Sequence, residues 1–474
     1  MKRLLDTFNV LEEQGYIPLS LQANVKQNLK FHPRPYQIKA IARFHHYFSD
    51  YQNRPMPSHL FFHMATGSGK TLVMAANILQ LYEKGYRKFV FVTNLKNTID
   101  KTKENFLNNS LENKKYLFAD SININGRAIE INEVNNFNRI SEADINIHFT
   151  SIQALQLKMQ NPTEDGLSED DFENNDVGII WDESHHGNVQ TQSAQTELGN
   201  FDNWESTIKQ LLDLNPRNIL IEFSATMDFE NSDIEKKYRN KRIYDYSLKQ
   251  FRLDQYSKEI KATQIKTEPL DRIFIAIINS QYKKKVFAYH DQLIKPVVLA
   301  KSKTIPESKS MVKEFLESLK SLNSNQLNIY RQYDNEFINA AFKYFDSLGL
   351  SNEDLIAEIQ NDFAEAKLIE VNTDNESETN QILVNTLEQD NNPIRLIFAV
   401  DKLNEGWDVL NLFDIVRLYE GRDARYAVPG KTTIQEAQLI GRGARYCPFD
   451  FNDEDRFKRK FDNDLEHPLR ICET

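Results

Sequence analysis

Short apolar runs recur along this chain. Each is closed by turn-forming residues and followed by a stretch in which apolar side chains return every three or four positions. The runs are HLFFHM (59–64), KFVFVT (88–93), INIHFT (145–150), VGIIWD (177–182), NILIEFS (218–224), KPVVLA (295–300) and RLIFAV (395–400). Runs this short, apolar nearly throughout and spaced by helical periods, read as parallel strands buried on both faces. Their order predicts an open α/β sheet with ligands at the carboxyl ends of its strands. They fall into two blocks, at about 30–230 and about 290–474. The predicted organisation is a helical lead-in (1–30), a first α/β domain (31–235), a connector (236–290) and a second α/β domain (291–474). Helical periods such as MVKEFLESLKSL (311–322) mark a helical insertion in the second domain at about 301–390.

The connector is unusual in composition. Residues 236–266 hold ten Lys/Arg against three Asp/Glu, interleaved with Tyr238, Tyr244, Tyr246, Phe251 and Tyr256. Such a stretch either tracks a phosphate backbone and stacks bases, or is a solvated link with a few packed aromatics. The whole chain is acidic: 58 Lys+Arg against 69 Asp+Glu give −11 over 474 residues. Nucleic-acid binding by bulk charge is thereby excluded, leaving local patches. With 40% hydrophobic residues the chain can fill real cores. No apolar run is long enough to span a bilayer, and Glu12 and Glu13 interrupt the start before a signal-peptide core forms, so no membrane role is expected. Two cysteines, Cys447 and Cys472, build neither a disulfide framework nor a four-cysteine zinc site, which fits a cytoplasmic protein.

The most informative stretch follows the first run. Thr66, Gly67, Ser68, Gly69, Lys70 and Thr71 open an amphipathic helix reaching about Tyr82. Glycines there permit a backbone path that points successive amides at one anion, and the helix N-terminus adds partial positive charge. Lys70 is placed for the β/γ-phosphates and Thr71 for Mg²⁺. The pattern G-x-x-x-x-G-K-[ST] departs at its first position, which is Met64. The run at 177–182 ends in Asp182 and Glu183, then Ser184, His185 and His186. A strand-end carboxylate can hold Mg²⁺ through water and its neighbour can orient an attacking water; taken alone, the pair is equally a helix cap. Ser224-Ala225-Thr226 offers two hydroxyls for bridging hydrogen bonds, and a plain turn explains it as well. In the second block Asn404, Glu405, Gly406, Trp407 and Asp408 follow a strand, with Gly406 and Asp408 suited to a nucleotide and Trp407 to a core anchor. Further on, Gln438, Arg442 and Arg445 share a face if IQEAQLIGRGAR is helical.

Together these segments resemble the superfamily 2 helicases of the DEAD/DEAH type, in the branch of type III restriction Res subunits. HPRPYQIKAI is similar to the adenine-recognition motif, MATGSGKT to motif I, VTNLKNTIDKTKENF to Ia, FTSIQAL to Ib and DESHH to II. SATM is similar to motif III, residues 401–408 to V and QLIGRGAR to VI. The resemblance implies two RecA-like domains with ATP and Mg²⁺ in the cleft between them. It gives Gln37 the adenine edge, Lys70, Glu183, Arg442 and Arg445 catalytic roles, and Thr71 and Asp182 the Mg²⁺. It makes Gly406, Asp408 and Gln438 nucleotide contacts, has His185, Ser224 and Thr226 couple the domains, and sets Thr93, Asn94 and Thr150 against nucleic acid.

The implied activity is an ATP-dependent translocase on double-stranded DNA, working with a methyltransferase subunit that selects the site. Alternatives are a stand-alone DNA or RNA helicase, or a nucleic-acid-binding module without turnover. In the type III pattern a PD-(D/E)xK nuclease follows the motor. No such arrangement is evident in 1–474, so the chain is expected to be the front portion of a longer protein, with cleavage requiring a further domain.

Overall fold

The computed structural model describes residues 3–94, 96–163, 165–184, 198–227, 229–263, 267–372, 378–400, 409–419, 439–464 and 466–474. The chain forms two compact units, Met1–Leu248 and Lys249–Thr474.

The first unit is built on a seven-stranded sheet. Its strands are β1 (Ser58–Met64), β2 (Lys88–Thr93), β3 (Ile131–Glu133), β4 (Ile145–Ser151), β5 (Val177–Asp182), β6 (Ile219–Ser224) and β7 (Arg242–Tyr246), ordered β3-β4-β2-β5-β6-β1-β7. Every pairing is parallel. The central strands are buried along nearly their whole length, as unbroken apolar runs require once helices cover both faces. Because β5, β6 and β1 are neighbours, their carboxyl ends lie side by side. Asp182 is level with Phe223, and Ser224 with His63. Helix α1 (Leu4–Glu13) belongs to this unit: Leu4 and Phe8 are buried, and Phe8 packs against His46 and Tyr47 of α2 (Pro35–Ser49).

The second unit has a four-stranded parallel sheet, β8 (Val297–Lys301), β9 (Leu368–Val371), β10 (Leu396–Ala399) and β11 (Leu412–Arg417), ordered β9-β10-β8-β11. Alternation along β8 divides its residues between two cores. Val298 and Ala300 face one, and Val297 and Leu299 the other. The first core is filled by helix α4 (Pro269–Tyr289) and by α5 (Ile305–Lys320), α6 (Ser324–Arg331), α7 (Glu336–Ser347) and α8 (Asn352–Asp362). The last four lie between β8 and β9. Phe315, Leu327, Phe345 and Ile359 join Val298, Leu396 and Phe398 in one cluster, so these helices form a layer of the sheet's own core.

Residues 236–290 are divided between the units rather than forming a link. Tyr238, Tyr244 and Tyr246 complete the first unit, Phe251 and Tyr256 begin the second, and all five are buried. The Tyr238 hydroxyl donates to Glu222 Oε2 at 2.8 Å and that of Tyr244 to the Tyr36 carbonyl at 2.7 Å. Rings locked by such bonds are closed to base stacking. The basic residues between them are spread over the same elements: Lys236 and Lys237 end a helix, Arg242 is buried on β7 and Lys258 is buried in the second unit.

A buried ion pair ties the helical layer to the second sheet. Arg395 donates to Asp362 Oδ2 at 2.8 Å, to the Pro296 carbonyl at 2.8 Å and to Ser280 Oγ at 3.0 Å. Burial alone would raise the Asp362 carboxyl, but hydrogen bonding from Lys284 and the charge of Arg395 hold it below the usual range. A carboxylate so depressed contributes stability that is present above its unfolded value and lost as pH falls through the lower folded one. Asp362→Ala strands a buried guanidinium and is expected to cost about 3–5 kcal/mol at neutral pH. Urea unfolding read from the second unit checks this, and the difference from the unsubstituted protein shrinks in acid.

Candidate nucleotide-binding site

Strand β1 delivers the chain at Met64 into a loop that opens helix α3 (Lys70–Glu83) only after two left-handed residues, Gly67 (φ +82°) and Gly69 (φ +74°). This helix, Lys70–Glu83, has Gly69 as its N-cap and no side-chain cap on its first amides. The Leu72 amide turns back to the Gly69 carbonyl at 3.1 Å, and the uncapped start of this 14-residue helix is the kind of terminus that suits an anion. Ser68 is fully buried, and its hydroxyl donates to the Ala65 carbonyl at 2.7 Å, which tightens the turn from inside. Its side chain is therefore part of the loop's frame.

The loop is braced from behind. Gln37 Nε2 donates to the carbonyls of Ser68 (2.9 Å) and Gly69 (3.3 Å), and Gln37 Oε1 accepts from the Arg34 amide at 2.8 Å. A Cβ at Gly69 would stand 2.5 Å from Gln37 Nε2, so glycine is required there by space as well as by φ. Gln37, expected at an adenine edge, is 4% exposed and grips the loop. Sequence reasoning missed its neighbours. The Tyr36 hydroxyl donates to the Ser68 carbonyl at 3.0 Å, and its ring stacks on Tyr246 at 4.2 Å. Tyr246 in turn accepts from the Ala65 amide at 2.9 Å through its carbonyl. Only the adjacency of Tyr36 to Gln37 hinted at this.

Opposite the loop, Lys70 Nζ lies 3.5 Å from Glu183 Oε1. Lys70 and Asp182 are buried, and Glu183 is partly open. The Glu183 amide donates to Asp182 Oδ1 at 3.0 Å, and Glu183 holds φ +56°. A non-glycine residue in that region carries about 1–3 kcal/mol of strain, which persists where surroundings over-determine it. Ser224, also buried, accepts from the Thr226 amide at 3.3 Å, beside the loop. Thr66 and Thr71 are half-buried at the loop's rim. Among the described residues no group of three or more His, Cys, Asp or Glu side chains forms a metal cage. Thr71 and Asp182 fit Mg²⁺, which keeps several waters and takes few protein ligands.

Thr93 and Thr150, expected against nucleic acid, are 1% and 4% exposed. Both sit at the carboxyl ends of inner strands, where the side chain packs within the sheet; the Thr150 hydroxyl donates to the Ser151 carbonyl at 3.2 Å. Asn94, just past β2, is half-buried.

In the second unit, residues 439–443 are helical and carry Arg442. Arg445 is not on that helix: it lies beyond its end, in an antiparallel bridge with Ser257. The shared face expected from helical spacing therefore does not extend to it. Continuing the helix would need an amide at position 448 for the Ala444 carbonyl, and Pro448 has none. The Lys258 amide takes that carbonyl at 2.7 Å. Lys258 Nζ donates to the carbonyls of Gly443 (3.1 Å), Leu410 (2.8 Å) and Leu412 (2.5 Å), and burial pushes its pKa down to about 7. His185, Asn404, Glu405, Gly406, Trp407, Asp408 and Gln438 lie outside the described residues.

Residues 30–229 match the family model described as "Type III restriction enzyme, res subunit", and residues 432–474 match a second model, described as an N-terminal region. The chain is 34% identical, over 88% of its length and 89% of the relative's, to the probable type III restriction-modification enzyme HindVIP Res subunit of Haemophilus influenzae. Among solved structures, the DUF1998 helicase MrfA bound to DNA and AMPPNP aligns with TM-score 0.52 at 12% identity, over 90% of this chain and 49% of that one. A putative HsdR subunit fragment of a type I restriction enzyme from Vibrio vulnificus YJ016 aligns with TM-score 0.46 at 14% identity, over 92% of this chain and 65% of that one. The chain thus spans less than two thirds of either solved protein. Identity sustained along nearly the whole length of a Res subunit, on a parallel α/β fold with the motor motifs in order, places the chain in the family of type III restriction enzyme Res subunits, which are superfamily 2 helicases.

Proposed function

We propose that the chain is the ATP-hydrolysing motor that moves a type III restriction enzyme along double-stranded DNA, together with a modification subunit. The observation that carries this reading is the 3.5 Å approach of Lys70 to Glu183 across the mouth of a braced, glycine-bent loop. The Lys70 ammonium lies against the Glu183 carboxylate. A bound triphosphate offers it the β- and γ-oxygens instead, and that exchange releases Glu183 to orient a water. Thr71 and Asp182 would hold Mg²⁺, which would supply positive charge beside the phosphates. Arg442 supplies a guanidinium to charge developing on the γ-phosphate, and Arg445, on its own backbone segment, acts separately from it. Contacts to the nucleic-acid backbone fall to Asn94, just past β2, and to the start of the helix that Ser151 caps after β4, rather than to the buried Thr93 and Thr150 hydroxyls. Such contacts grip phosphates without reading bases, so movement depends little on sequence.

Two outcomes follow. Glu183→Gln is expected to lower DNA-stimulated phosphate release by about 10²–10⁴-fold while ATP binding persists, and Lys70→Ala to abolish release. Phosphate release with duplex DNA at stated salt, beside equilibrium binding of a fluorescent ATP analogue, measures both; rates unmoved by either change refute the motor. Gln37→Ala is expected to weaken ATP and GTP to the same degree, because the amide holds the loop that both share. Competition binding with the two nucleotides checks this, and a selective loss of ATP would return Gln37 to the adenine edge.

A further inference from the structure

One histidine joins three strand ends beside this site. His63, the penultimate residue of β1, is 9% exposed. Its Nδ1 lies 3.2 Å from Asp245 Oδ1 on β7, and its Nε2 lies 3.3 Å from the Ala225 carbonyl, just past β6. Asp245 is itself fixed: Arg242 Nη1 donates to its Oδ2 at 3.0 Å, and Arg242 Nη2 donates to Glu235 Oε2 at 3.1 Å. Burial would raise the Asp245 carboxyl, but the hydrogen bond and charge of His63, with Arg242, bring it below the ordinary range. Phe229 closes the group, with its ring edge-on to His63 at 5.3 Å and the Arg242 guanidinium 3.8 Å over its face.

The position of these bonds gives them meaning. Two residues after His63, Ala65 begins the phosphate loop and is held by the Tyr246 carbonyl, the residue after Asp245. The end of β7 therefore holds both the first residue of the loop and the ring that holds Ala225. The Ala225 carbonyl belongs to the rigid peptide plane shared with Thr226, so holding it fixes the Thr226 amide, which donates to Ser224 Oγ at 3.3 Å. We propose that His63 is a positioning residue that locks the Ser224–Thr226 segment to the phosphate loop, so that a change at the bound phosphates is passed to that segment. This rests on the motor reading above. His63 touches neither nucleotide nor Mg²⁺ in this role and acts through Ala225 and Asp245.

The test is the ratio of DNA-stimulated to basal ATP hydrolysis. His63→Ala is expected to keep basal turnover and the KM for ATP within about twofold while the ratio falls about tenfold, a size ordinary for coupling between sites. His63→Gln, whose amide can still donate to the Ala225 carbonyl, is expected to recover at least half of the ratio. Asp245→Asn, which keeps the shape but loses the charge, gives an intermediate fall and serves if His63→Ala does not fold. A thermal melt accompanies each variant. Basal and stimulated rates that fall in one proportion, a ratio that does not move, or a His63→Gln no better than His63→Ala would overturn the role. Absence of any hydrolysis by the unsubstituted chain would refute the motor reading and this role with it. Intact hydrolysis with an unmoved ratio refutes the role alone.

Discussion

A loop that bends through two left-handed glycines must be held open by something outside itself, and most of the first unit's architecture answers that demand. Backbone at φ near +80° gives amides that converge on one point, but isolated glycines are also the loosest residues in a chain. Here the looseness is removed from behind by Gln37 and Tyr36, from the side by Tyr246 and from within by Ser68. These contacts come from α2, β7 and the loop, which converge only if the sheet has the order that places β1 between β6 and β7. The strand order is thus part of the site. Moving β7 elsewhere would leave Ala65 and the Tyr36 ring without their supports.

The inner strands were legible because burial on both faces imposes a pattern that needs no knowledge of neighbours, whereas the short or less apolar β3, β7, β9 and β11 were not among the runs read from the sequence. HLFFHM and VGIIWD could hardly be anything else, and the structure sets them at Ser58–Met64 and Val177–Asp182. The phosphate loop was legible for a related reason, since glycine spacing and a following helix are local. What was not legible depends on tertiary partners. Nothing near Gln37 says that its amide turns towards Ser68 and Gly69, and nothing near Tyr244 says that its hydroxyl meets the Tyr36 carbonyl. The basic and aromatic stretch from 236 looked like a surface because charge alternates with rings there, yet the rings are core. Arg445 is the mixed case. Pro448 offers no amide to the Ala444 carbonyl, and the lysine that takes up the carbonyls at this helix end lies almost two hundred residues earlier.

In the second unit the same logic runs through charge rather than backbone conformation. Its four-stranded sheet is narrow, and the layer from α5 to α8 supplies apolar surface that four strands and α4 alone would leave wet. Arg395, Asp362 and Lys258 are among the polar groups buried in this unit, and each is satisfied by several partners at once. A half-satisfied group at any of these points costs more than the bond it would have made.

Glu183 shows what such a scaffold permits. Its carboxylate reaches Lys70 from a backbone that almost any residue but glycine or asparagine would avoid. Comfort and chemistry therefore pull this position in opposite directions. Breeding the protein for heat tolerance alone would enrich glycine or asparagine here, yielding a hardier chain without the carboxylate that meets Lys70.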